Sequence, residues 1–230
     1  MSKYKVILFD LDGTLTDPKV GITKSVQYAL GKMGISVTTL DQLDSFIGPP
    51  LKDSFSELYH FNSEEVEQAI QLYRERFVEH GMYENEVYES IPELLHSLKG
   101  QGKSLVIATS KPTVFAEKIL QYFKLDSYFD LIVGSNLDGT RSAKTDIIQY
   151  ILDVKKDCTL EDFIMIGDRK HDIIGANNTG IDSIGVTYGY GSHSELMDSE
   201  PTYIVHTVKE IGELLLERCE ITSANQHQKF

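Results

Sequence analysis

The stretch Phe9-Asp10-Leu11-Asp12-Gly13-Thr14-Leu15-Thr16-Asp17 decides how the rest of the chain is interpreted. It continues the apolar run Tyr4-Lys5-Val6-Ile7-Leu8-Phe9, whose length predicts a strand that is buried on both faces. Asp10 and Asp12 therefore stand at the carboxyl end of a buried strand, which is where open α/β sheets bind their ligands. An Asp-Gly pair is also a common turn signal, so this stretch alone is compatible with a simple turn.

The composition and the charge narrow the classes of function. The chain has 230 residues, an ordinary globular composition and a formal net charge of -13. This charge argues against nucleic acids and anionic membranes as partners, although one local cationic pocket would still hold a phosphate group. No apolar run approaches the roughly 20 residues of a membrane span, and we expect no signal peptide. The two cysteines, Cys158 and Cys219, predict a reduced, cytoplasmic protein in which both are small buried hydrophobic residues.

Residues 19–81 form a block whose apolar spacing is helical, and we expect no strand within it. Helices are predicted over residues 19–33, 40–46 and 51–59. A further helix, with Ser63 as its N-cap, is predicted to reach about His80. Gly81 and the polar stretch that ends at Glu89 then interrupt the pattern.

From Ser90 onward, short apolar runs alternate with helical patterns. Helices are predicted over residues 91–98, 112–123, 143–154, 172–177 and 208–218. Strands are predicted over residues 105–108, within 128–133, and over 163–166, 181–186 and 203–205. This alternation predicts an α/β fold: a Rossmann-like parallel sheet with helices on both faces (residues 1–16 and 86–230) and an inserted all-helical cap domain (residues 17–85). The cap would be a lid, hinged near residues 16–19 and 81–89.

Two further segments offer groups that could bind an anion. Thr109-Ser110-Lys111 follows the predicted strand 105–108, and a hydroxyl with the N–H groups of a turn can bind a phosphate, although helix capping explains the same residues. Lys144, in the first turn of a predicted helix, would suit a phosphate oxygen or an ionised carboxylate. Its neighbour Arg141 carries the same charge, and the sequence does not rank the two.

The segment Ile166-Gly167-Asp168-Arg169-Lys170-His171-Asp172 follows another buried strand. Asp168 stands at the end of that strand, and Asp172 comes about one helical turn later, so both carboxylates can point to one spot. The three residues between them are expected to form a solvated cluster.

Strand ends would thus bring four carboxylates together, and these cannot share a small site unless a cation or a proton compensates their charge. Mg²⁺ together with a substrate phosphate fits an all-oxygen ligand set better than it fits a histidine such as His171. The four residues are Asp10, Asp12, Asp168 and Asp172.

In this order, the motifs resemble those of the haloacid dehalogenase superfamily. They are Asp-x-Asp-Gly-Thr-Leu-Thr-Asp, a strand that ends in Thr-Ser-Lys, a later lysine, and Gly-Asp-x-x-x-Asp, and the resemblance spans residues 4 to about 217. Within this superfamily, the chain most resembles the branch of phosphoglycolate-phosphatase-like enzymes, which have a small helical cap. In this superfamily, an acidic residue at Asp12 implies phosphoryl transfer rather than dehalogenation.

The resemblance also implies a role for each residue. Asp10 would be the nucleophile that forms an aspartyl-phosphate, and Asp12 would be the general acid and base. Thr109 would bind the transferring phosphoryl group, and Lys144 would balance the charge of Asp10 and of that group. The Mg²⁺ ligands would be Asp10, the backbone carbonyl of Asp12, Asp168 and Asp172.

Residues of the loops and of the insert are expected to bind the substrate. Thr14 and Ser110 are candidates in the loops of the core. Gly48 and Pro49 belong to Gly48-Pro49-Pro50, which resembles the cap loop that faces the catalytic site in relatives, although a plain helix–helix turn is an alternative. Arg74, like Arg76, would reach a second anionic group of a substrate unless it is simply solvated.

The leading hypothesis is a Mg²⁺-dependent phosphatase that acts on a small phosphorylated metabolite, either phosphoglycolate or a nucleoside monophosphate. A sugar phosphomutase of the β-phosphoglucomutase type shares the same motifs, and only a hydrolase would release phosphate. A non-catalytic binding module would be expected to lack Asp10 or Asp12, and both are present. The sequence leaves a monomer and a homodimer equally open.

Overall fold

The computed structural model describes residues 3–216. Eight strands are present in this range, most of them short and apolar. They are β1 (Val6–Phe9), β2 (Thr16–Asp17), β3 (Glu86–Val87), β4 (Ser104–Pro112), β5 (Leu131–Ser135), β6 (Phe163–Gly167), β7 (Asp182–Val186) and β8 (Tyr203–Val205).

Nine α-helices lie in the same range. They are α1 (Lys19–Lys32), α2 (Leu51–Tyr59), α3 (Ser63–Arg76), α4 (Ile91–Gly100), α5 (Thr113–Tyr122), α6 (Lys144–Val154), α7 (Lys170–Thr179), α8 (His193–Asp198) and α9 (Val208–Leu215). Shorter helical turns cover Leu40–Phe46, Phe77–Gly81, Asp126–Tyr128 and Leu160–Asp162.

Six of the described strands form one parallel sheet in the order β5-β4-β1-β6-β7-β8. Strand β1 is central, and Phe9 pairs with Ile107 of β4 on one side and with Ile166 of β6 on the other. Since parallel strands end at the same edge, this register places the residues after β1, β4 and β6 side by side.

The sheet carries helices on both faces, as predicted. Ile7 and Phe9 belong to the core layer that contains α4, α5 and α9, whereas Val6 and Leu8 belong to the layer that contains α6 and α7. Because successive side chains of a strand point to opposite faces, both layers need apolar residues, and β1 is apolar throughout. The predicted α/β class is therefore confirmed.

The inserted segment is helical, and the described residues 19–81 contain no strand, as expected. Helix α1 packs closely on the turn Phe77–Gly81: a Cβ atom at Gly21 would lie 1.9 Å from the carbonyl oxygen of Gly81. The two joints of the insert were predicted only as hinges, but they pair with each other. Strands β2 and β3 form an antiparallel ribbon in which Thr16 faces Val87.

Several predicted boundaries were wrong. The N-cap of α3 is Asn62 rather than Ser63, because the Asn62 side chain accepts the N–H groups of Glu64 and Glu65 while the Glu65 carboxylate accepts that of Asn62. Helix α3 itself ends at Arg76, but one π-helical turn continues the helical path from Phe77 to Gly81, so the predicted end at about His80 holds for the helical segment as a whole.

On the core side, helix α7 begins at Lys170 rather than at Asp172, because the Asp172 carboxylate accepts the backbone N–H of Arg169 at 3.1 Å and so completes the first turn. Strand β5 lies at Leu131–Ser135, later than predicted, and a short 3₁₀ turn occupies Asp126–Tyr128 instead. Helix α8 was not predicted, and its short, mostly polar sequence carries little apolar periodicity.

The remaining expectations concern the cysteines, the last helix and membrane spans. Cys158 is only half-buried, so the expectation of full burial was wrong for it. Cys219 and the end of the helix predicted over residues 208–218 lie outside the described residues. Within residues 3–216, every helix is too short or too polar to cross a bilayer.

Candidate active site

Three carboxylates meet where β1 and β6 end. Asp10 follows β1, and its N–H group donates to the carbonyl of Ile166 in β6 at 2.9 Å. Asp168 follows β6, and Asp172 lies in the first turn of α7. Each of these aspartates offers an oxygen that lies within 4.8 Å of the others, and all three side chains are buried. The structure thus brings together three of the four aspartates singled out from the sequence.

The backbone around Asp168 leaves no room for side chains. A Cβ atom at Gly13 would lie 2.3 Å from Oδ2 of Asp168, and one at Gly189 would lie 2.4 Å from the same oxygen. Gly13 also has a φ of +82°, a conformation that favours glycine. The N–H group of Tyr190 donates to that oxygen at 2.7 Å. Two glycines and one amide therefore hold this carboxylate in position.

Lys144 lies among the carboxylates. Its Nζ atom is 3.1 Å from Oδ1 of Asp10, 2.7 Å from Oδ1 of Asp172 and 2.7 Å from the carbonyl oxygen of Ala108. Burial alone would lower the pKa of Lys144, but the two carboxylates outweigh it and raise that pKa, so the ammonium group stays charged. The alternative, Arg141, instead donates to the Gly134 carbonyl and to the Asn136 side chain.

The charges at this site do not balance when every group is ionised, unless a further cation joins Lys144. Three carboxylates face one ammonium group, which leaves two negative charges if all of these groups are ionised. Burial, helped by the other carboxylates, raises the pKa of Asp168 well above its usual range. Burial also raises the pKa of Asp172, to about 6, although Lys144 opposes the rise. The buried all-oxygen set and its excess charge fit a divalent cation of the Mg²⁺ type.

Asp12 lies outside this cluster and pairs with a lysine that the sequence analysis did not select. Nζ of Lys111 is 2.7 Å from each carboxylate oxygen of Asp12, and both side chains are buried. The same ammonium group lies 5.1 Å from the centre of the Phe77 ring. Burial raises the pKa of Asp12, and the charge of Lys111 partly offsets this rise. Lys111 lies at the carboxyl end of β4, which is adjacent to β1, and its position shortly after the predicted strand 105–108 was the signal that could have identified it.

The hydroxyl residues occupy different positions around the site. Thr109 is buried, and its Oγ1 accepts the N–H of Lys111 at 3.3 Å. Ser110 lines the adjoining cavity. Thr14 is fully buried, with its Oγ1 at 3.4 Å from Oδ1 of Asp168 and its carbonyl bonded to the hydroxyl of Tyr188. Thr14 therefore lies beside Asp168 and does not line the cavity.

A cavity of about 840 Å³ extends from Asp12 into the space between the insert and the loops of the core. Gly48, Pro49 and Arg74 lie on its wall, and Arg74 spans to the core by donating to the Leu137 carbonyl at 2.9 Å. The wall is rich in aromatic rings: Phe46, Phe61, Tyr73, Phe77 and Phe115. Arg76 lies elsewhere and pairs with Glu84 at 2.8 Å.

The prediction that the three residues between Asp168 and Asp172 form a solvated cluster is wrong for the first of them, Arg169. The guanidinium of Arg169 is mostly buried, with its Nε donating to Glu195 at 2.9 Å and its Nη1 donating to the Ile47 carbonyl. Lys170 is exposed as expected, and His171 is half-buried. The prediction failed because Glu195 belongs to the unpredicted helix α8 and Ile47 to the insert.

Comparison with known proteins supports an assignment to a family. The family model of the haloacid dehalogenase-like hydrolases matches residues 7–186. A 5'-nucleotidase from Pseudomonas aeruginosa is 47% identical over 213 residues, which cover 93% of this chain and 96% of the relative. A second relative has a different name: the tyrosine-protein kinase PtkA from Mycobacterium tuberculosis is 34% identical over 92% of this chain and 72% of its own length.

Solved structures agree with this assignment. A crystal structure of a "predicted phosphatase" from Clostridium acetobutylicum superposes with a TM-score of 0.89 and 53% sequence identity, and the match covers 91% of this chain and 97% of the other. The family model, the relatives and the solved structure thus all match the chain that carries the carboxylate cluster, Lys144 and the parallel sheet. The chain belongs to the haloacid dehalogenase-like hydrolase family and is a phosphatase of that family.

Proposed function

We propose that this phosphatase hydrolyses a small phosphomonoester through an aspartyl-phosphate on Asp10, with Mg²⁺ as its cation. The observation that carries the proposal is the position of Asp10, which directly follows the central strand β1 and lies beside Asp168, Asp172 and Lys144. Its Oδ1 is engaged by the Leu11 N–H at 2.8 Å and by Lys144, so we assign the attack on phosphorus to Oδ2.

The reaction would have two steps. In the first, an oxygen of Asp10 bonds to phosphorus, the ester P–O bond breaks, and Asp12 gives its proton to the departing alkoxide. In the second, Asp12 takes a proton from water, the water oxygen bonds to phosphorus, and the bond between phosphorus and Asp10 breaks. The raised pKa of Asp12 suits the acid of the first step, because this carboxyl must hold a proton near neutral pH.

The surrounding groups would stabilise charge on the transferring phosphoryl group. We propose that Thr109 contacts that group and that Lys144 faces both it and Asp10. Mg²⁺ would be held by Asp10, Asp168 and Asp172, and when bound it supplies positive charge next to the phosphate oxygens.

We propose that residues 17–85 act as a cap that selects the substrate, and that a nucleoside monophosphate is a better candidate than phosphoglycolate. The cavity of about 840 Å³ lies between this segment and the core, and its volume is that of a site for a drug-sized ligand. Its aromatic wall suits a base and a sugar better than a second carboxylate. The relative from Pseudomonas aeruginosa, which is named a 5'-nucleotidase, supports the same choice.

The test is phosphate release from nucleoside monophosphates and phosphoglycolate, measured with and without Mg²⁺. Asp10→Asn should abolish release, and Asp157→Asn serves as a matched control because Asp157 is exposed and follows the end of α6 that is opposite to Lys144. Borohydride added during turnover should reduce the acyl phosphate and mark residue 10 in a peptide map. Transfer of phosphorus within a sugar phosphate, without release, would instead support a mutase.

A further inference from the structure

One buried cation next to the cluster has no role in the proposed reaction. Arg169 directly follows Asp168, and its side chain is only 12% exposed. Its guanidinium bonds to two other segments: Nε donates to Oε1 of Glu195 at 2.9 Å, and Nη1 donates to the carbonyl of Ile47. Arg169 therefore connects the loop of Asp168 to the helical insert.

The segment that Arg169 reaches is shaped around its side chain. We name residues 47–50 the cap loop. Gly48 in this loop has a φ of +104°, and a Cβ atom there would lie 2.7 Å from Cγ of Arg169. The stem of the arginine therefore packs directly on the Gly48 backbone. Gly48 and Pro49 also line the substrate cavity, so the segment held by Arg169 is part of the cavity wall.

Glu195 fixes the orientation of the guanidinium. The carboxylate of Glu195 accepts both Nε of Arg169 and the backbone N–H of Lys170 at 2.9 Å. The backbone of Glu195 is itself held by the Ser192 hydroxyl, which accepts its N–H at 3.0 Å. A planar guanidinium that is bonded on one side to a fixed carboxylate presents its other donors in a fixed direction, here to the cap loop.

We propose that Arg169 is a positioning residue: it links the cap loop to the loop of Asp168 and so holds the substrate-facing wall in place relative to the carboxylate cluster. The link itself follows from the contacts of the protein alone. Its effect on substrate choice rests on the proposed function. Enzymes with a lid need contacts that hold the lid closed over the substrate. The link through Arg169 joins the cap loop to the loop that carries Asp168.

Hydrogen exchange of the full-length protein without ligand tests the link directly. Arg169→Met keeps the stem and removes the donors, so the amides of Ile47, Gly48 and Leu51 should exchange about ten- to a hundredfold faster, as expected for loss of a hydrogen bond from a charged group. Lys170→Met, at the exposed neighbouring position, and the amides of β1 in every variant should match the wild type. Unchanged exchange of the cap loop in Arg169→Met overturns the proposal.

Two further variants serve as a substitute for Arg169→Met and as a control. If Arg169→Met fails to fold, Glu195→Gln replaces it, and a smaller increase of exchange in the cap loop is expected because the Glu195 carboxylate is bonded to Arg169 and to the Lys170 N–H. Arg74→Met removes a second guanidinium bond between insert and core, and it should loosen the wall near Leu137 without changing exchange of the cap loop. Equal exchange in all variants overturns the proposal.

Kinetics separates the link from the proposed function. Under the proposed function, the nucleoside of a nucleoside monophosphate would extend to the cap loop, whereas the smaller phosphoglycolate would not. In Arg169→Met, kcat/KM for a nucleoside monophosphate should therefore fall about tenfold more than kcat/KM for phosphoglycolate. An equal fall for both esters overturns the role in substrate positioning. If the wild type hydrolyses neither ester, the proposed function fails, and hydrogen exchange still decides whether Arg169 holds the cap loop.

Discussion

The pairing of Lys111 with Asp12 makes the sharpest prediction about the proposed chemistry. Lys111→Met removes an ammonium group that lies 2.7 Å from the Asp12 carboxylate and keeps much of the length of the side chain. The side chains are 6% and 9% exposed, so solvent screens the pair poorly. Because Lys111 opposes the effect of burial on the pKa of Asp12, that pKa should rise further in the variant.

The size of the shift follows from the geometry. An opposite charge within roughly 4–6 Å lowers the pKa of a carboxyl group by about 1–3 units, so the loss of Lys111 should raise the pKa of Asp12 by a similar amount. This corresponds to about 1.4–4 kcal/mol. Coulomb's law with an effective dielectric constant of about 20 gives about 6 kcal/mol for unit charges 2.7 Å apart, an upper bound because burial of the ammonium group opposes the attraction.

The assay is the pH dependence of kcat/KM for an alkyl phosphomonoester. In the first step Asp12 must hold a proton for the leaving alkoxide, so activity falls as the pH rises above the pKa of Asp12. Lys111→Met should lower the maximum and move this basic limb to higher pH by about 1–3 units. With p-nitrophenyl phosphate, whose leaving group needs little protonation, the limb should be weak in both proteins.

The control is Lys170→Met, which removes an exposed lysine near the same edge of the sheet and should leave the pH profile unchanged. A basic limb of Lys111→Met that coincides with the wild-type limb would refute the reasoning, since Lys111 would then not act on Asp12. A limb that moves in both variants would show a general charge effect rather than the specific ion pair.

Three further predictions concern stability. Lys144→Met leaves Asp10 and Asp172 buried without their cation and should lower the free energy of unfolding by about 3–5 kcal/mol in urea denaturation; a loss below about 1 kcal/mol would contradict the buried ion pairs. Gly21→Ala, whose Cβ would lie 1.9 Å from the Gly81 oxygen, should lower that free energy by about 1–3 kcal/mol, whereas Gly31→Ala, with open space around it, should not. In the metal-free protein the raised pKa of Asp172, about 6, stabilises the fold at low pH, and this contribution is lost as the pH rises through that value; Mg²⁺ should therefore raise the Tm more at about pH 8 than at about pH 5, and an equal rise in calorimetry would contradict competition between protons and cation.

Much of the fold could be predicted because local patterns encode it. The apolar run that contains β1 predicts a buried strand, and the alternation of strands and helices predicts a parallel sheet. Once the sheet is parallel, its strand ends share an edge, so the proximity of Asp10, Asp168 and Asp172 follows from the positions of these residues in the chain. Short elements with weak periodicity, such as β2, β3 and α8, carry no comparable signal and were missed.

The sequence by itself thus determined the class of the fold, the edge at which the carboxylates gather and the need for a cation or a proton that compensates their charge. The tertiary structure decided which cation faces which carboxylate. Lys111 and Asp12 are 99 residues apart, and Arg169 and Ile47 are 122 residues apart, so no local pattern connects them. The contact of Lys111 with Asp12 depends on the pairing of β4 with β1, and the contact of Arg169 with Ile47 depends on how the insert packs over the sheet. The packing of the insert on the sheet is determined by many apolar side chains together. The sequence around the polar residues that this packing brings into contact therefore carries no pattern that predicts the contact.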